Sequence, residues 1–199
     1  MNEVNKPDFW EGRYQAQNTS WDLGRPTPVF KTIASKYPTG KLCIIGCGRG
    51  YDAVVFAENG FDVTAIDFSE TAIKDVHQLA AKSDVHITGV CKDIFDLPIE
   101  FLNTFDYVIE QTCFCAIDPE RRSEYETVVH SILKPHGQLI GLWFPLDKLI
   151  NEGGPPWGTT EEEVKTLFSK RWIKNMEKFH EESIEPRKGR EKLIIFEKI

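Results

Sequence analysis

The spacing of apolar positions changes period repeatedly along this chain, and each change marks the edge of an expected element. Leu42-Cys43-Ile44-Ile45 is a short continuous apolar run ending in glycine, the pattern of a strand buried on both faces. Asp52 to Glu58 is helix-compatible and stops at Gly60, Phe61 to Ile66 reads as a second strand, and Ser69 caps a helix through about Lys82 with Glu70 in its first turn. Val85 to Val90 and Phe105 to Glu110 are the third and fourth strands. A helix from near Pro119 to Leu133 turns through Lys134-Pro135-His136-Gly137 into a fifth strand over Gln138 to Phe144. Strands alternating with helices predict an α/β fold built on a parallel sheet.

The flanks differ. Pro145 to Gly158 holds Gly153-Gly154-Pro155-Pro156, too irregular for an element and long enough for a functional loop that could serve as a lid. Thr160 and Glu163 form a capping box for a helix to about Phe168. Trp172 to Phe179 and Leu193 to Glu197 then read as strands, with Arg187-Lys188-Gly189-Arg190 as their turn. Before Lys41 lie about 40 residues with Trp10, Tyr14 and Trp21, a Gly24-Arg25-Pro26-Thr27-Pro28 break and a helical stretch from Val29 to Lys36. They hold too few aliphatic residues for a core of their own, so 1–40 is expected to cover a core of 41–199 within one domain.

Composition narrows the function. Against 24 basic side chains stand 31 acidic ones, a net charge of −7 that argues against a nucleic-acid partner. With 41% hydrophobic residues the chain can bury a core, which excludes disorder and a disulfide-stapled miniprotein. No apolar run approaches the roughly 20 residues of a membrane span, and MNEVNKPDFW has no basic-then-apolar leader, so a cytoplasmic protein without a membrane partner is expected. The odd set Cys43, Cys47, Cys91, Cys113 and Cys115 favours reduced thiols. Cys113 and Cys115, one residue apart, fit neither a CxxC motif nor a zinc knuckle, and no metal site is expected. His77, His86, His130, His136 and His180 share no motif. Nothing in the chain argues for a dimer, so a monomer is the default.

The chemistry concentrates in Gly46-Cys47-Gly48-Arg49-Gly50, between the first strand and the first helix of the core. Glycines there let the backbone turn sharply and approach a ligand, with helix amides behind them. Asp67 ends the second strand about 20 residues further on, where an acid can accept from both ribose hydroxyls; Ser69 is the cap candidate, which leaves Asp67 for a ligand. A dinucleotide fingerprint, G-x-G-x-x-G, would need glycine at Tyr51, so an adenosyl cofactor without pyrophosphate is preferred to NAD. Asp93-Ile94, after the third strand, suits an adenine amino group and ring. Cys47 reads as a small filler.

These residues carry a resemblance to class I S-adenosylmethionine-dependent methyltransferases, and among them to the thiopurine S-methyltransferase family, especially its thiol and halide methyltransferase branch. Trp21-Asp22-Leu23-Gly24-Arg25, the glycine loop with Tyr51-Asp52, Asp67-Phe68-Ser69, Phe114-Cys115-Ala116-Ile117, Gly153-Gly154-Pro155-Pro156 and Arg187-Lys188-Gly189 all take part, over nearly the whole chain. The resemblance implies a Rossmann-like fold: a seven-stranded, mostly parallel sheet with the last strand antiparallel, helices on both faces and an N-terminal cover. It implies S-adenosyl-L-methionine as cofactor, S-adenosyl-L-homocysteine as product and a small-molecule methyl acceptor. It implies cofactor contacts from Trp10, Tyr14, Trp21, Gly46, Gly48, Gly50, Asp67, Asp93, Ile94 and Gln111. Gln111 and Tyr14 depart from the branch, which has tyrosine and often tryptophan there.

A sulfonium methyl is already activated, so the enzyme mainly has to hold a soft nucleophile in line and exclude water. Trp10, Tyr14 and Trp21 could supply aromatic faces for a cation or simply anchor the cover. Phe114, Phe144 and Trp157 could wall an acceptor pocket, although ordinary packing is the default for each. Glu110 and Asp118 stand near the fourth strand's carboxyl end and either could take a proton, but a thiol of pKa about 8.5 needs no dedicated base. Arg187 could attract an anionic acceptor, a reading that the family resemblance suggests; a solvated hairpin turn is the expectation for 187–190. Two other readings stay open. One is a non-catalytic module that binds S-adenosylmethionine; the other is a nicotinamide-dependent oxidoreductase, opposed by Tyr51 and by the lack of a recognisable hydride-transfer pair.

Overall fold

The computed structural model describes residues 2–199; Met1 lies outside the described residues. The strands are β1 (Lys41–Ile45), β2 (Asp62–Asp67), β3 (Thr88–Cys91), β4 (Phe105–Gln111), β5 (Leu133–Trp143), β6 (Trp172–Lys178) and β7 (Lys192–Lys198). They form one sheet in the order β3-β2-β1-β4-β5-β7-β6. The first five pair in parallel, and β7 runs antiparallel to both of its neighbours. The α/β expectation and the antiparallel last strand are both met.

The helices are α1 (Pro7–Gln15), α2 (Pro28–Lys36), α3 (Tyr51–Glu58), α4 (Glu70–Lys82), α5 (Pro98–Phe101), α6 (Arg122–Ile132) and α7 (Glu161–Leu167). Strand alternation divides the core into two layers. In β1, Leu42 and Ile44 join Phe30 and Ile33 of α2 and Phe56 of α3, whereas Cys43 and Ile45 join Tyr125 and Val129 of α6 on the opposite face. All four are buried, which is why the run does not alternate with polar residues. Ser69 Oγ accepts from the Ala72 amide at 3.1 Å and Thr160 Oγ1 from the Glu163 amide at 3.0 Å, caps worth about 1 kcal/mol each.

The main departures from the sequence reading are at β3, β5 and α1. β3 begins at Thr88 rather than Val85, because its only partner, β2, first meets it at Thr64. β5 begins at Leu133, which already pairs with Phe105, and the ladder is irregular just beyond it; the Lys134 to Gly137 turn is thus folded into the strand, with His136 at φ +63°. Helix α1 has no counterpart in the periodicity, because it carries aromatic and charged positions rather than an aliphatic stripe.

β1 pairs with β2 on one side and β4 on the other, so successive connections leave it in opposite directions. The carboxyl ends of strands at such a switch point frame a crevice. Here α1 and residues 16–27 lie over it.

Candidate functional site

A cavity of about 1110 Å³ opens at the carboxyl ends of β1 to β5. Gly46 comes from β1, Asp67 from β2, Lys92 and Asp93 from β3, Thr112 and Cys113 from β4 and Phe144 from β5. Trp10, Tyr14 and Trp21 form the roof. The rings of Trp10 and Tyr14 meet Trp21 edge to face at 5.6 and 5.8 Å, so the three residues are one aromatic unit that serves the cover and the cavity together. Burial pushes the Tyr14 phenol well above its ordinary pKa, which keeps it protonated.

The glycine loop divides its labour. Gly46 has φ +60° and a Cβ there would sit 3.0 Å from Cys113 Cβ; Gly48 has φ +56° and a Cβ would reach within 3.3 Å of the Tyr14 hydroxyl. Side chains at either position would invade the crevice. Gly48 lines a smaller recess of about 70 Å³ beside the cavity, together with Gln111 and Arg49. Gly50 stands apart from both. It is the left-handed N-cap of α3, φ +86°, and a Cβ would lie 2.8 Å from Val76 Cγ2, so its glycine serves the packing of α3 on α4.

Asp67 is 7% exposed, and its oxygens accept from the Gly48 amide at 2.9 Å and the Ser69 amide at 3.0 Å. Ser69 is the cap of α4, as expected, yet Asp67 is not free of the backbone: it ties the glycine loop to the end of β2. A carboxylate has about four lone-pair sites, so two remain for a ligand's hydroxyls. Burial raises its pKa to about 6 against the pull of those amides. Asp93 likewise accepts from the Phe95 amide at 3.0 Å while lining the cavity beside Ile94, the first residue of a helical turn. Arg121 stacks on Phe95, its guanidinium carbon 3.4 Å from the ring centroid, and closes that end.

The two candidate proton acceptors lie elsewhere. Glu110 is 1% exposed beneath the cavity floor. It accepts from the amides of Cys113 and Phe114 at 3.1 and 3.0 Å and from the Tyr125 hydroxyl at 2.7 Å, and burial pushes its pKa up to about 7. These bonds hold a turn in which Thr112, a β-branched residue, takes φ +59°. Glu110 is therefore a support for the wall formed by Thr112 and Cys113. Asp118 caps a short helical turn through the Glu120 amide and accepts from Asn5. It is not among the cavity's lining residues.

Arg187 corrects the expectation of a solvated turn. Lys188 does extend into solvent, but Arg187 is 6% exposed, lines the cavity and donates from Nη2 to the Trp21 carbonyl at 2.9 Å. A hydrophilic turn composition does not reveal that the N-terminal cover lies on top of it. The Pro145 to Gly158 loop is fastened down: the Trp157 amide donates to the Cys115 carbonyl at 2.8 Å and the Leu146 amide to the Arg190 carbonyl at 2.9 Å. Pro155, Pro156 and Phe144 face the cavity, whereas Phe114 packs in the core against Trp143. The Thr27 hydroxyl donates to the Asp52 carboxylate at 2.9 Å and lies 2.8 Å from the Gln111 side-chain amide, which binds the cover's Pro26-Thr27 segment to β4 and α3.

Residues that the sequence reading passed over include Thr112 and Lys92 in the wall and Glu11, whose carboxylate joins α1 to α4. Only position could have found the first two, since each directly follows a strand. All five cysteines are free thiols, and among the described residues no His, Cys, Asp and Glu cluster suits a metal ion. No described helix is long and apolar enough to cross a membrane.

The comparisons agree with this geometry. The profile of the thiopurine S-methyltransferase family matches residues 5–198. Thiocyanate methyltransferase 1 of Arabidopsis thaliana is 33% identical over 96% of this chain and 84% of its own length. Probable thiol methyltransferase 2 of the same plant is 32% identical over 95% and 84%. Among solved structures, the 1,6-didemethyltoxoflavin-N1-methyltransferase of Burkholderia thailandensis, crystallised with S-adenosylhomocysteine, superposes with a TM-score of 0.76 at 19% identity, covering 96% of this chain and 86% of its own. The chain belongs to the thiopurine S-methyltransferase family, and it is an S-adenosylmethionine-dependent methyltransferase acting on a small soft nucleophile.

Proposed function

We propose that the acceptor is a small soft anion, such as a thiolate, hydrosulfide, thiocyanate or halide, and that the enzyme is a cytoplasmic monomer of one domain. The observation that carries the acceptor class is the Arg187 guanidinium, which lines the cavity 5.5 Å from the Phe144 ring and is buried there with no carboxylate in contact with it. A positive, largely apolar chamber concentrates small anions and solvates them poorly. That thiol and thiocyanate methyltransferases are among its relatives supports the same reading.

In this reading the adenine lies by Asp93 and Ile94 over β3, the ribose on Asp67 over β2, and the amino-acid portion above Gly46 and Gly48 beside Gln111. The residues present fit that group. Asp67 keeps acceptor capacity after its two backbone bonds, and the absence of a Cβ at Gly46 and Gly48 leaves the backbone there approachable, where a side chain would crowd Cys113 and the Tyr14 hydroxyl. Gly50 takes no part. When bound, S-adenosylmethionine supplies an electrophilic methyl carbon on a sulfonium. Trp10, Tyr14 and Trp21 exclude water above it and present aromatic faces, each worth about 0.5 to 2 kcal/mol to a nearby cation. Phe144, Cys115 and Pro155 line the acceptor half.

Neither candidate base reaches the acceptor: Glu110 is sealed below the floor and Asp118 lies off the cavity. In this reading an acceptor thiol arrives ionised. The test is a pair of pH profiles. kcat/KM for a simple thiol should rise up to that thiol's own pKa, about 8.5, and then level, while kcat/KM for iodide stays flat across the same range. A thiol profile that levels near pH 7 instead would place an enzyme base in the site and reject this reading.

A further inference from the structure

Asp93, Phe95 and Arg121 meet at the end of the cavity beyond β3, and they come from two separate segments: the first two from the turn after β3, the third from the residue that precedes α6. The Arg121 guanidinium is held from two directions. Its carbon stands 3.4 Å from the Phe95 ring centroid, and Nε and Nη2 donate to the two Glu124 carboxylate oxygens at 2.8 and 3.0 Å. These contacts use one face and one edge of the guanidinium plane. Nη1 is the nitrogen nearest Asp93, 3.9 Å from Oδ2, too far for a hydrogen bond. Asp93 Oδ1 accepts from the Phe95 amide at 3.0 Å, and Oδ2 accepts from no donor among the described residues. An acceptor and a donor therefore stand side by side on the cavity wall, each fixed by other contacts and neither bonded to the other.

We propose that Arg121 is a specificity residue for the cofactor's nucleobase, with Nη1 donating to N7 of adenine while Asp93 Oδ2 accepts from the adjacent 6-amino group. This rests on the placement of the adenine beside Asp93 in the methyltransferase reading. The N6 and N7 edge of adenine presents a donor next to an acceptor, and an Asn or Gln side chain reads it with the oxygen and nitrogen of one amide. Asp93 and Arg121 supply the same acceptor and donor from two segments of chain. The 3.9 Å between Oδ2 and Nη1 suits a pair that closes on two neighbouring groups of a ring rather than on each other. A 6-oxopurine presents two acceptors on that edge, and its O6 would face the Asp93 carboxylate. Lys92, the other cation on this wall, is paired with Glu100. Because Phe95 and Glu124 already fix the guanidinium, Arg121 loses little freedom when the base arrives.

The test compares S-adenosylhomocysteine with its 7-deaza analogue, in which N7 is replaced by a C–H group that accepts nothing. Both are titrated calorimetrically into the wild type, Arg121→Met and Asp93→Asn. The wild type should bind S-adenosylhomocysteine about five- to tenfold more tightly than the analogue. Arg121→Met should weaken S-adenosylhomocysteine by about that factor and leave the analogue within about twofold, so the preference disappears. Asp93→Asn should weaken both ligands alike, because it alters the contact to an amino group that both carry, and should keep the preference. Each preference is a ratio within one variant, so a loss of folded protein cancels from it. A wild type without the preference overturns the contact. So does a preference undiminished in Arg121→Met, the outcome expected if Arg121 only props Phe95. Failure of the cofactor placement would look different: a wild type that binds neither ligand saturably rejects that reading and the N7 contact with it, whereas equal binding of both rejects the contact alone.

Discussion

The Glu11 carboxylate accepts from both the amide and the hydroxyl of Thr71, at 3.1 and 2.6 Å, and so fastens the N-terminal cover to the first turn of α4. Its second contact is the Ser69 hydroxyl at 2.5 Å, in the strand-to-helix corner that also holds Asp67. The hydrogen bonds from Ser69 and Thr71 pull the Glu11 pKa down to about 2, and an anion at the start of a helix is favoured by the helix dipole. A side chain of the N-terminal cover and Asp67, the proposed ribose acid, thus share one corner.

Glu11→Ala should loosen the roof without disturbing the sheet. The expected result is a several-fold weaker affinity for S-adenosylhomocysteine, of the order that one or two charge-assisted hydrogen bonds supply, about tenfold. Amide hydrogen exchange should rise across residues 7–25 and stay unchanged in β1 and β4. Equal affinity and an unchanged exchange pattern would show that α1 is held by its aromatic contacts alone.

Asp67→Asn keeps the shape of the side chain and loses one acceptor oxygen. The Gly48 and Ser69 amides compete for what remains, and one of them then faces an amide NH2. S-adenosylhomocysteine affinity is expected to fall by about ten- to a hundredfold, with a modest loss of melting temperature. Calorimetric titration against wild type checks it; a change within twofold would remove Asp67 from the cofactor's contacts.

Gly50→Ala separates the glycine loop's structural member from the two at the crevice. A side chain at φ +86° and 2.8 Å from Val76 is strained in conformation and in space, so the fold should lose about 1 to 3 kcal/mol. The folded fraction should bind S-adenosylhomocysteine as the wild type does. Gly48→Ala, also at a positive φ but without the clash against α4, should cost less stability, about 1 kcal/mol, and weaken binding.

Glu110 gives a pH signature with a definite sign. Burial raises its folded pKa from 4.5 to about 7, so the protonated form is the better fit to the core. Its contribution is complete below pH 4.5 and is lost as pH rises through 7. In Glu110→Gln that loss disappears. The melting temperature of the variant relative to wild type should climb between pH 4.5 and 7.5, because the other titrating groups cancel in the difference; a flat difference would mean that Glu110 is ionised throughout.

Much of this was legible because its causes are local. The run from Leu42 to Ile45, the glycine turn after it and the Ser69 cap are each specified by neighbours within a few residues and stand where the pattern implies, whereas Asp67 is bound to two backbone amides and Gly50 serves the packing of α3 on α4. What was hidden depends on contacts between distant parts of the chain. Helix α1 is held by Trp21 and Thr71 rather than by an aliphatic stripe, and Arg187 lies in a sequence that reads as a solvated turn until the Trp21 carbonyl covers it. Glu110 and Asp118 both stand near the end of β4, and nothing in either's own surroundings in sequence says that one points beneath the cavity and the other away from it.

The most direct measurement is turnover. Purified protein with S-adenosylmethionine would be offered iodide, thiocyanate, hydrosulfide, simple thiols and a thiopurine, alongside small oxygen and nitrogen acceptors, with S-adenosylhomocysteine followed by mass spectrometry. The expectation is product with the soft anions, in preference to every oxygen and nitrogen acceptor. Product only from oxygen or nitrogen acceptors, or none from any acceptor while S-adenosylmethionine binds, would contradict it.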